Sequence, residues 1–166
     1  MLKLGIIGTG AISHHFIEAA HASGQYQLAA VYSRNLETAE QFARRYSNVQ
    51  LFDQLDVFLM SSFDVVYIAS PNSLHYSQAK TALLSDKHVI LEKPAVTKPE
   101  EWKDLVQTAQ DNQRFIFEAA RNYHEDAFAT IKNFLVNKQI LGADFNYAKY
   151  SSKMPNLLAG DTPNVF

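Results

Sequence analysis

The stretch HVILEKPAV, residues 88–96, opens as an apolar run and then sets a carboxylate, Glu92, beside an ammonium, Lys93, directly ahead of Pro94. Charged side chains are rare inside strands, so a strand that ends on such a pair carries its chemistry to the tip. A fixed cation there can meet a reacting oxygen and stabilise negative charge as it develops. Proton transfer by a placed acid or base adds roughly 10²- to 10⁴-fold to a rate, which makes Lys93 the candidate catalytic residue. Pro94 stiffens the exit and biases Lys93 toward extended backbone.

Two further polar groups close apolar runs elsewhere. SPNSLH supplies Ser70, Pro71, Asn72 and His75 after the run that begins at Val65. IIGTGAIS, residues 6–13, supplies Gly8, Thr9 and Gly10 at the exit of the first run, with Ala11 and Ile12 opening the helix that follows. Gly8 allows a tight turn, and Gly10 lets the backbone approach a pyrophosphate held at the helix amino terminus. Ser13 stands where the dinucleotide-binding fingerprint has Gly or Ala, a mild departure because Ser is also small.

About twenty residues beyond the glycines, a chain built for NAD offers a carboxylate to the adenosine ribose. This chain reads Val31, Tyr32, Ser33, Arg34, Asn35 there. A hydroxyl and a guanidinium suit a 2′-phosphate, which Arg can grip with two parallel hydrogen bonds. The expected cofactor is therefore NADP, with NAD as the alternative.

These clusters must be positioned by the elements that carry them. Apolar runs at 3–7, 27–32, 65–69, 88–91 and 115–118, with a weaker one at 49–51, alternate with segments of helical period, the pattern of parallel strands joined by crossover helices. The runs lack strict alternation, as expected of strands covered on both faces. In an open parallel sheet, ligands bind outside the carboxyl ends of the strands where strand order reverses. The glycines, the Ser70 to Asn72 turn and the Glu92–Lys93 pair all fall at such ends. In the first helix Ile12, Phe16, Ala19 and Ala20 form the expected apolar face. Thr97 and Glu100 have capping-box spacing ahead of a stripe of Trp102, Leu105, Val106 and Ala109. A further helix carries Phe128, Ile131, Phe134 and Leu135, and after Gly142 residues 143–150 read as an extended strand.

Bulk composition narrows the classes. The 166 residues are 47% hydrophobic and 19% charged, which fits an ordered globular chain and excludes a disordered one. A formal charge of −2 with no basic cluster gives no reason to expect nucleic acid or an anionic membrane as partner. There is no cysteine, so disulfides and thiolate metal sites are excluded and a cytoplasmic location is the simpler expectation. The glycines interrupt the apolar amino terminus before a signal core or membrane span can form.

GTGAIS, SPNSLH and EKPAV, in this order and at these separations, resemble the Gfo/Idh/MocA family of nicotinamide-dependent sugar and diol oxidoreductases, over nearly the whole chain. The resemblance implies that Asn72 and His75 lie along the nicotinamide half of the cofactor, that Glu92 bonds its ribose or carboxamide, and that Lys93 contacts the substrate hydroxyl. It also implies a cofactor-facing segment at Glu118, Arg121 and Asn122, although RNYHED departs from the family's wording there. The substrate it implies is a sugar, polyol or diol-like small molecule. The family's second catalytic group comes from a carboxyl-terminal domain, so this chain reads as the cofactor-binding part.

Two other signals are set aside. Tyr76 and Lys80 spell the Y-x-x-x-K pair of short-chain dehydrogenases, but on the helix after the Val65 run and with the wrong glycine loop. His14, Glu18 and His21 share a helical face, and a polar stripe opposite an apolar one needs no metal to explain it. The expectation is thus an α/β doubly wound parallel sheet, an NAD(P)-binding Rossmann fold over residues 1–122. Residues 123–166 are expected to form a crossover helix and the truncated start of an α+β domain, with homo-oligomers when full length. The rival reading is a cofactor-binding sensor without catalysis.

Overall fold

The computed structural model describes residues 1–146, 148, 150 and 154–160. It divides into two compact units, Met1–Ala120 and Arg121–Phe166. In the first, strands β1 (Leu2–Ile7), β2 (Tyr26–Tyr32), β3 (Gln50–Phe52), β4 (Val65–Ile68), β5 (His88–Leu91) and β6 (Ile116–Glu118) alternate with helices α1 (Ala11–Ala22), α2 (Leu36–Ala43), α3 (Leu55–Met60), α4 (Asn72–Leu84) and α5 (Pro99–Asp111). The sheet is parallel throughout with order β3-β2-β1-β4-β5-β6. Strand order reverses between β1 and β4, which makes their carboxyl ends the place for a ligand.

The two faces of the sheet bury separate cores, which is why its central strands carry apolar residues at successive positions. On one face Ile17 and Ala20 of α1 and Ala39 and Phe42 of α2 pack on Leu4, Ile6, Leu28, Val31 and Tyr67. On the other, Phe58 and Leu59 of α3, Ala79 and Leu83 of α4, and Leu105 and Ala109 of α5 pack on Ile7, Val66, Ile68, Val89 and Leu91. Each fully buried Leu, Ile or Phe contributes about 1.5–3 kcal/mol relative to exposure. All four residues of β4 are buried, so the central strand is held from both sides.

Two local expectations are corrected, and one helix is added. The buried face of α1 is Ser13, Ile17 and Ala20, while Ile12 is exposed. Apolar residues fill two adjacent rows of this helix, and the small Ser13, packed under the glycine turn, decides which row faces inward. Helix α5 begins at Pro99 with Lys98 as its N-cap and no side-chain cap, so Thr97 closes no capping box. Proline is suited to the first helical position because its missing N–H has no partner to lose there. Helix α3 was not anticipated; six residues, LDVFLM, are too few to declare a period.

The second unit contains a 3₁₀ turn (Arg121–His124), α6 (Asp126–Leu135) and α7 (Met154–Leu158). Tyr123 and Phe128 pack ring to ring at 4.8 Å. The strand expected at 143–150 includes residues 147 and 149, which lie outside the described residues; the described ones in that stretch form no strand. Among the described residues no helix is long and apolar enough to cross a membrane.

Candidate functional site

The turn from β1 to α1 is built by Gly8 and Ser13. Gly8 has φ +103°, and a Cβ there would sit 2.5 Å from the Ala69 carbonyl oxygen, so only glycine allows this approach to the β4 exit. Ser13 is fully buried and its hydroxyl donates to the Gly8 carbonyl at 2.7 Å. The departure from Gly or Ala at this position thereby acquires a function: it ties the turn to the helix. Gly10 is the N-cap of α1, with no side-chain cap, no acidic residue in the first turn, and open space where a Cβ would stand. The Ser13 N–H turns back to the Gly10 carbonyl at 3.1 Å, while those of Ala11 and Ile12 are left to an anion from outside.

A cleft of about 200 Å³ opens at the reversal point, lined by Gly8, Thr9, Ser33, Arg34, Ser70 and Pro71 among others. The glycine turn, the end of β2 and the loop after β4 thus meet, as their sequence positions suggested. Ser33 is anchored by its N–H to the Phe52 carbonyl at 3.0 Å. Asn35 caps α2 by accepting from the Thr38 N–H at 3.2 Å, which leaves the neighbouring Arg34 exposed at the cleft. Tyr32, Leu74 and Gln78 also line it, and sequence reasoning missed them. Leu74 and Gln78 lie one and two helical turns beyond Ser70, a spacing that could have flagged them.

One strand over, β5 runs in register with β4, Ile68 opposite Leu91, so Glu92 and Lys93 emerge beside the Ser70 loop. Glu92 is fixed at both oxygens: Oε1 accepts from the Tyr67 hydroxyl at 2.7 Å, and Oε2 from the Lys93 N–H at 3.0 Å. Tyr67 is fully buried, and burial first, then the bond to Glu92, raise the pKa of its hydroxyl, so it stays a donor. Lys93 is exposed, and the Lys93–Pro94 peptide is cis. Glu118 at the tip of β6 accepts from the Ala95 N–H at 2.9 Å and tethers the loop.

His75 is not on the surface of the cleft. It is 1% exposed, with Nδ1 3.0 Å from the Pro94 carbonyl oxygen and Nε2 2.9 Å from that of Ser70. Its ring therefore bridges the two loops that carry Asn72 and Lys93. Ala11 and Ile12 begin α1 on its exposed side, and Asn72 begins α4. Arg121 belongs to the second unit, where its Nε donates to Glu125 Oε1 at 3.2 Å. The set-aside signals have structural partners: Tyr76 and Lys80 both bond Asp104 of α5, and His14 Nδ1 lies 2.6 Å from the Tyr46 hydroxyl. Among the described residues no group of side chains could hold a metal ion.

A doubly wound sheet with a glycine turn and an open cleft at its reversal point defines a nucleotide-binding α/β protein. The family model for oxidoreductases with an NAD-binding Rossmann fold, GFO_IDH_MocA, matches residues 2–120, and the chain belongs to that family. It is 41% identical to the uncharacterized oxidoreductase YgjR of Escherichia coli and 34% identical to scyllo-inositol 2-dehydrogenase (NADP(+)) IolU of Bacillus subtilis, in each case over 100% of this chain and 51% of the relative. The chain thus spans about half the length of these curated relatives. In fold it resembles KijD10, a 3-ketoreductase from Actinomadura kijaniata solved with NADP and TDP-benzene, at a TM-score of 0.76 and 24% identity over 81% of this chain and 42% of that one.

Proposed function

We propose that this chain binds NADP(H) as the cofactor-holding part of an oxidoreductase acting on a hydroxyl or carbonyl carbon of a sugar, polyol or diol. The observation that carries the reading is the cleft at the β1/β4 reversal, where Gly8, Ser33, Arg34 and Ser70 converge. Its residues fit the group. The uncapped start of α1 suits a pyrophosphate, and the exposed guanidinium of Arg34 beside Ser33 suits a 2′-phosphate. Kinship with a relative named for scyllo-inositol and NADP(+) supports the polyol class and the choice of cofactor.

When bound, the nicotinamide supplies or receives the hydride. The chain's own side chains would then orient and stabilise. Glu92, held at both oxygens, offers a fixed carboxylate to the nicotinamide ribose or carboxamide. Asn72 lies along the same half. Lys93 presents its ammonium to the substrate oxygen, donating a hydrogen bond or a proton as that oxygen gains charge. His75, wedged between the Ser70 and Pro94 carbonyls and donating to one of them, would space the loops that carry Asn72 and Lys93.

Calorimetric titration of the chain with NADPH, NADH and 2′,5′-ADP tests the reading. Saturable NADPH binding, tighter than NADH and shared in part by 2′,5′-ADP, is expected. If neither dinucleotide binds a folded sample, the reading fails.

A further inference from the structure

Gln78 is the one polar side chain of the cleft lining that is more than nine-tenths buried, at 7% exposure. The Ser70 hydroxyl donates to its Oε1 at 2.6 Å, which occupies one half of the amide and fixes its rotation. Among the described residues its Nε2 donates to nothing. It is not a sealed orphan either, because no fully buried side-chain nitrogen or oxygen among them lacks a partner. The Nε2 atom therefore keeps some exposure, in a residue that lines the cleft.

What would meet them follows from the order of groups in a dinucleotide. With the pyrophosphate at Gly8 and Gly10 and the adenosine ribose at Ser33 and Arg34, the base lies on the far side of that ribose. Arg34, Pro71 and Leu74 all line this cleft. A guanidinium plane and two apolar side chains suit the faces of a flat heterocycle. The amide nitrogen of Gln78 is a buried donor in the same lining that can address its edge.

Resting on the cofactor reading above, we propose that Gln78, held in orientation by Ser70, donates an amide N–H to N1 of the adenine and so selects adenine over hypoxanthine. Adenine N1 is an acceptor. Hypoxanthine carries a hydrogen at N1, which would confront the Gln78 N–H donor with a second donor. A buried donor left without its acceptor is a strong ground for rejecting an analogue.

The test is calorimetric titration of the chain with NADPH and with reduced nicotinamide hypoxanthine dinucleotide phosphate, comparing wild type, Gln78→Met and Gln78→Glu. Wild type is expected to prefer NADPH by roughly tenfold. In Gln78→Met the ratio falls to about one, since the amide donor is gone. In Gln78→Glu it inverts, because a carboxylate oxygen repels adenine N1 but accepts from the hypoxanthine N1–H. Each ratio is taken within one protein, so a general loss of affinity or stability cancels, and Gln78→Met preserves side-chain length if the charged variant does not fold. A wild-type ratio of one, or an unchanged ratio in the variants, overturns the role of Gln78 while leaving cofactor binding intact. Failure of wild type to bind either nucleotide would remove the cofactor reading as well.

Discussion

The Tyr67 hydroxyl donates to Glu92 Oε1 at 2.7 Å from the middle of β4 to the tip of β5. Tyr67 pairs in register with Ile90, two residues before Glu92, so both side chains rise from the same face of the sheet. Phe16 of α1 stacks on the Tyr67 ring with centroids 3.8 Å apart and planes within 4°, which holds the plane of the ring. Tyr67→Phe keeps the ring and removes the donor, and loss of one such bond costs about 1 kcal/mol of stability. Its larger consequence is a carboxylate held at Oε2 alone, by the Lys93 N–H. NADPH affinity is expected to fall, whereas affinity for 2′,5′-ADP, which lacks the nicotinamide half, stays put. Equal weakening of both ligands in calorimetry would mean that Tyr67 does not act through Glu92.

Lys93 separates a catalyst from a sensor. In the proposed role at the substrate oxygen, it would contribute to rate far more than to cofactor affinity. Lys93→Ala is expected to lower kcat by roughly 10²- to 10⁴-fold in a preparation that turns over, with little change in the Kd for NADPH. Stopped-flow measurement of hydride transfer beside a fluorescence titration supplies both numbers. A variant with an altered Kd and unaltered kcat would favour the sensor.

The sequence made the ends of β1, β4 and β5 legible because each apolar run stops on residues that a strand interior would not hold: Gly8, Ser70, and Glu92 with Lys93. The two-sided sheet was legible for the same reason, since its strands lack alternation. His75 was not legible as a brace, because a histidine in a first helical turn looks the same whether it faces a ligand or two carbonyls. Tyr67 and Gln78 were missed because one reads as strand core and the other as an ordinary polar position on a helix. Only the bonds to Glu92 and Ser70 give them a task. The burial of α1 differs by one row from the expected face, since the buried row starts with the polar Ser13 while the row of Ile12, Phe16 and Ala19 is apolar throughout, and tertiary packing chooses between them.

Arg34 is expected to decide between the two nicotinamide dinucleotides. It is exposed at the cleft, beside Ser33, where the acidic residue of an NAD site would stand. Charge-assisted hydrogen bonds are worth about 1.5–3 kcal/mol, so Arg34→Ala should weaken NADPH roughly 10- to 100-fold. NADH, which has no 2′-phosphate, should change little. Raising the salt concentration should weaken NADPH more than NADH in wild type and equally in the variant.

Stability should fall as the solution is made mildly acidic. Nδ1 of His88 accepts from the Phe115 N–H at 3.0 Å, a bond that protonation at that atom would end. Burial first, then Arg114, lower the pKa of His88 from its usual 6.5, and burial with Arg45 lowers that of His14 in the same direction. Below about pH 6.5 the unfolded chain therefore binds protons that the folded chain does not, so stability drops with falling pH and levels off beneath the folded pKa. Thermal melts at about pH 7.5 and about pH 5.5 should show the decrease. His88→Asn, whose amide oxygen can accept the same N–H without titrating, should reduce it. An identical pH slope in the variant would show that His88 contributes nothing to it.

Gly8 and Gly10 lie two residues apart and should fail in opposite ways. Gly8→Ala places a Cβ 2.5 Å from the Ala69 carbonyl oxygen at φ +103°, and both the contact and the backbone strain act whether or not a nucleotide is present. Strain of this kind costs roughly 1–3 kcal/mol by itself, so the apoprotein should melt at a lower temperature. Gly10→Ala meets nothing within 4 Å, and Gly10 has an ordinary extended backbone at φ −84° and ψ 173°. Its melting temperature should hardly move, yet in the proposed complex the added methyl would occupy the space through which a pyrophosphate reaches the start of α1, and NADPH affinity should fall by about an order of magnitude or more. Paired melts and titrations distinguish the two effects. Undiminished NADPH binding by Gly10→Ala would mean that the pyrophosphate does not lie at that helix terminus.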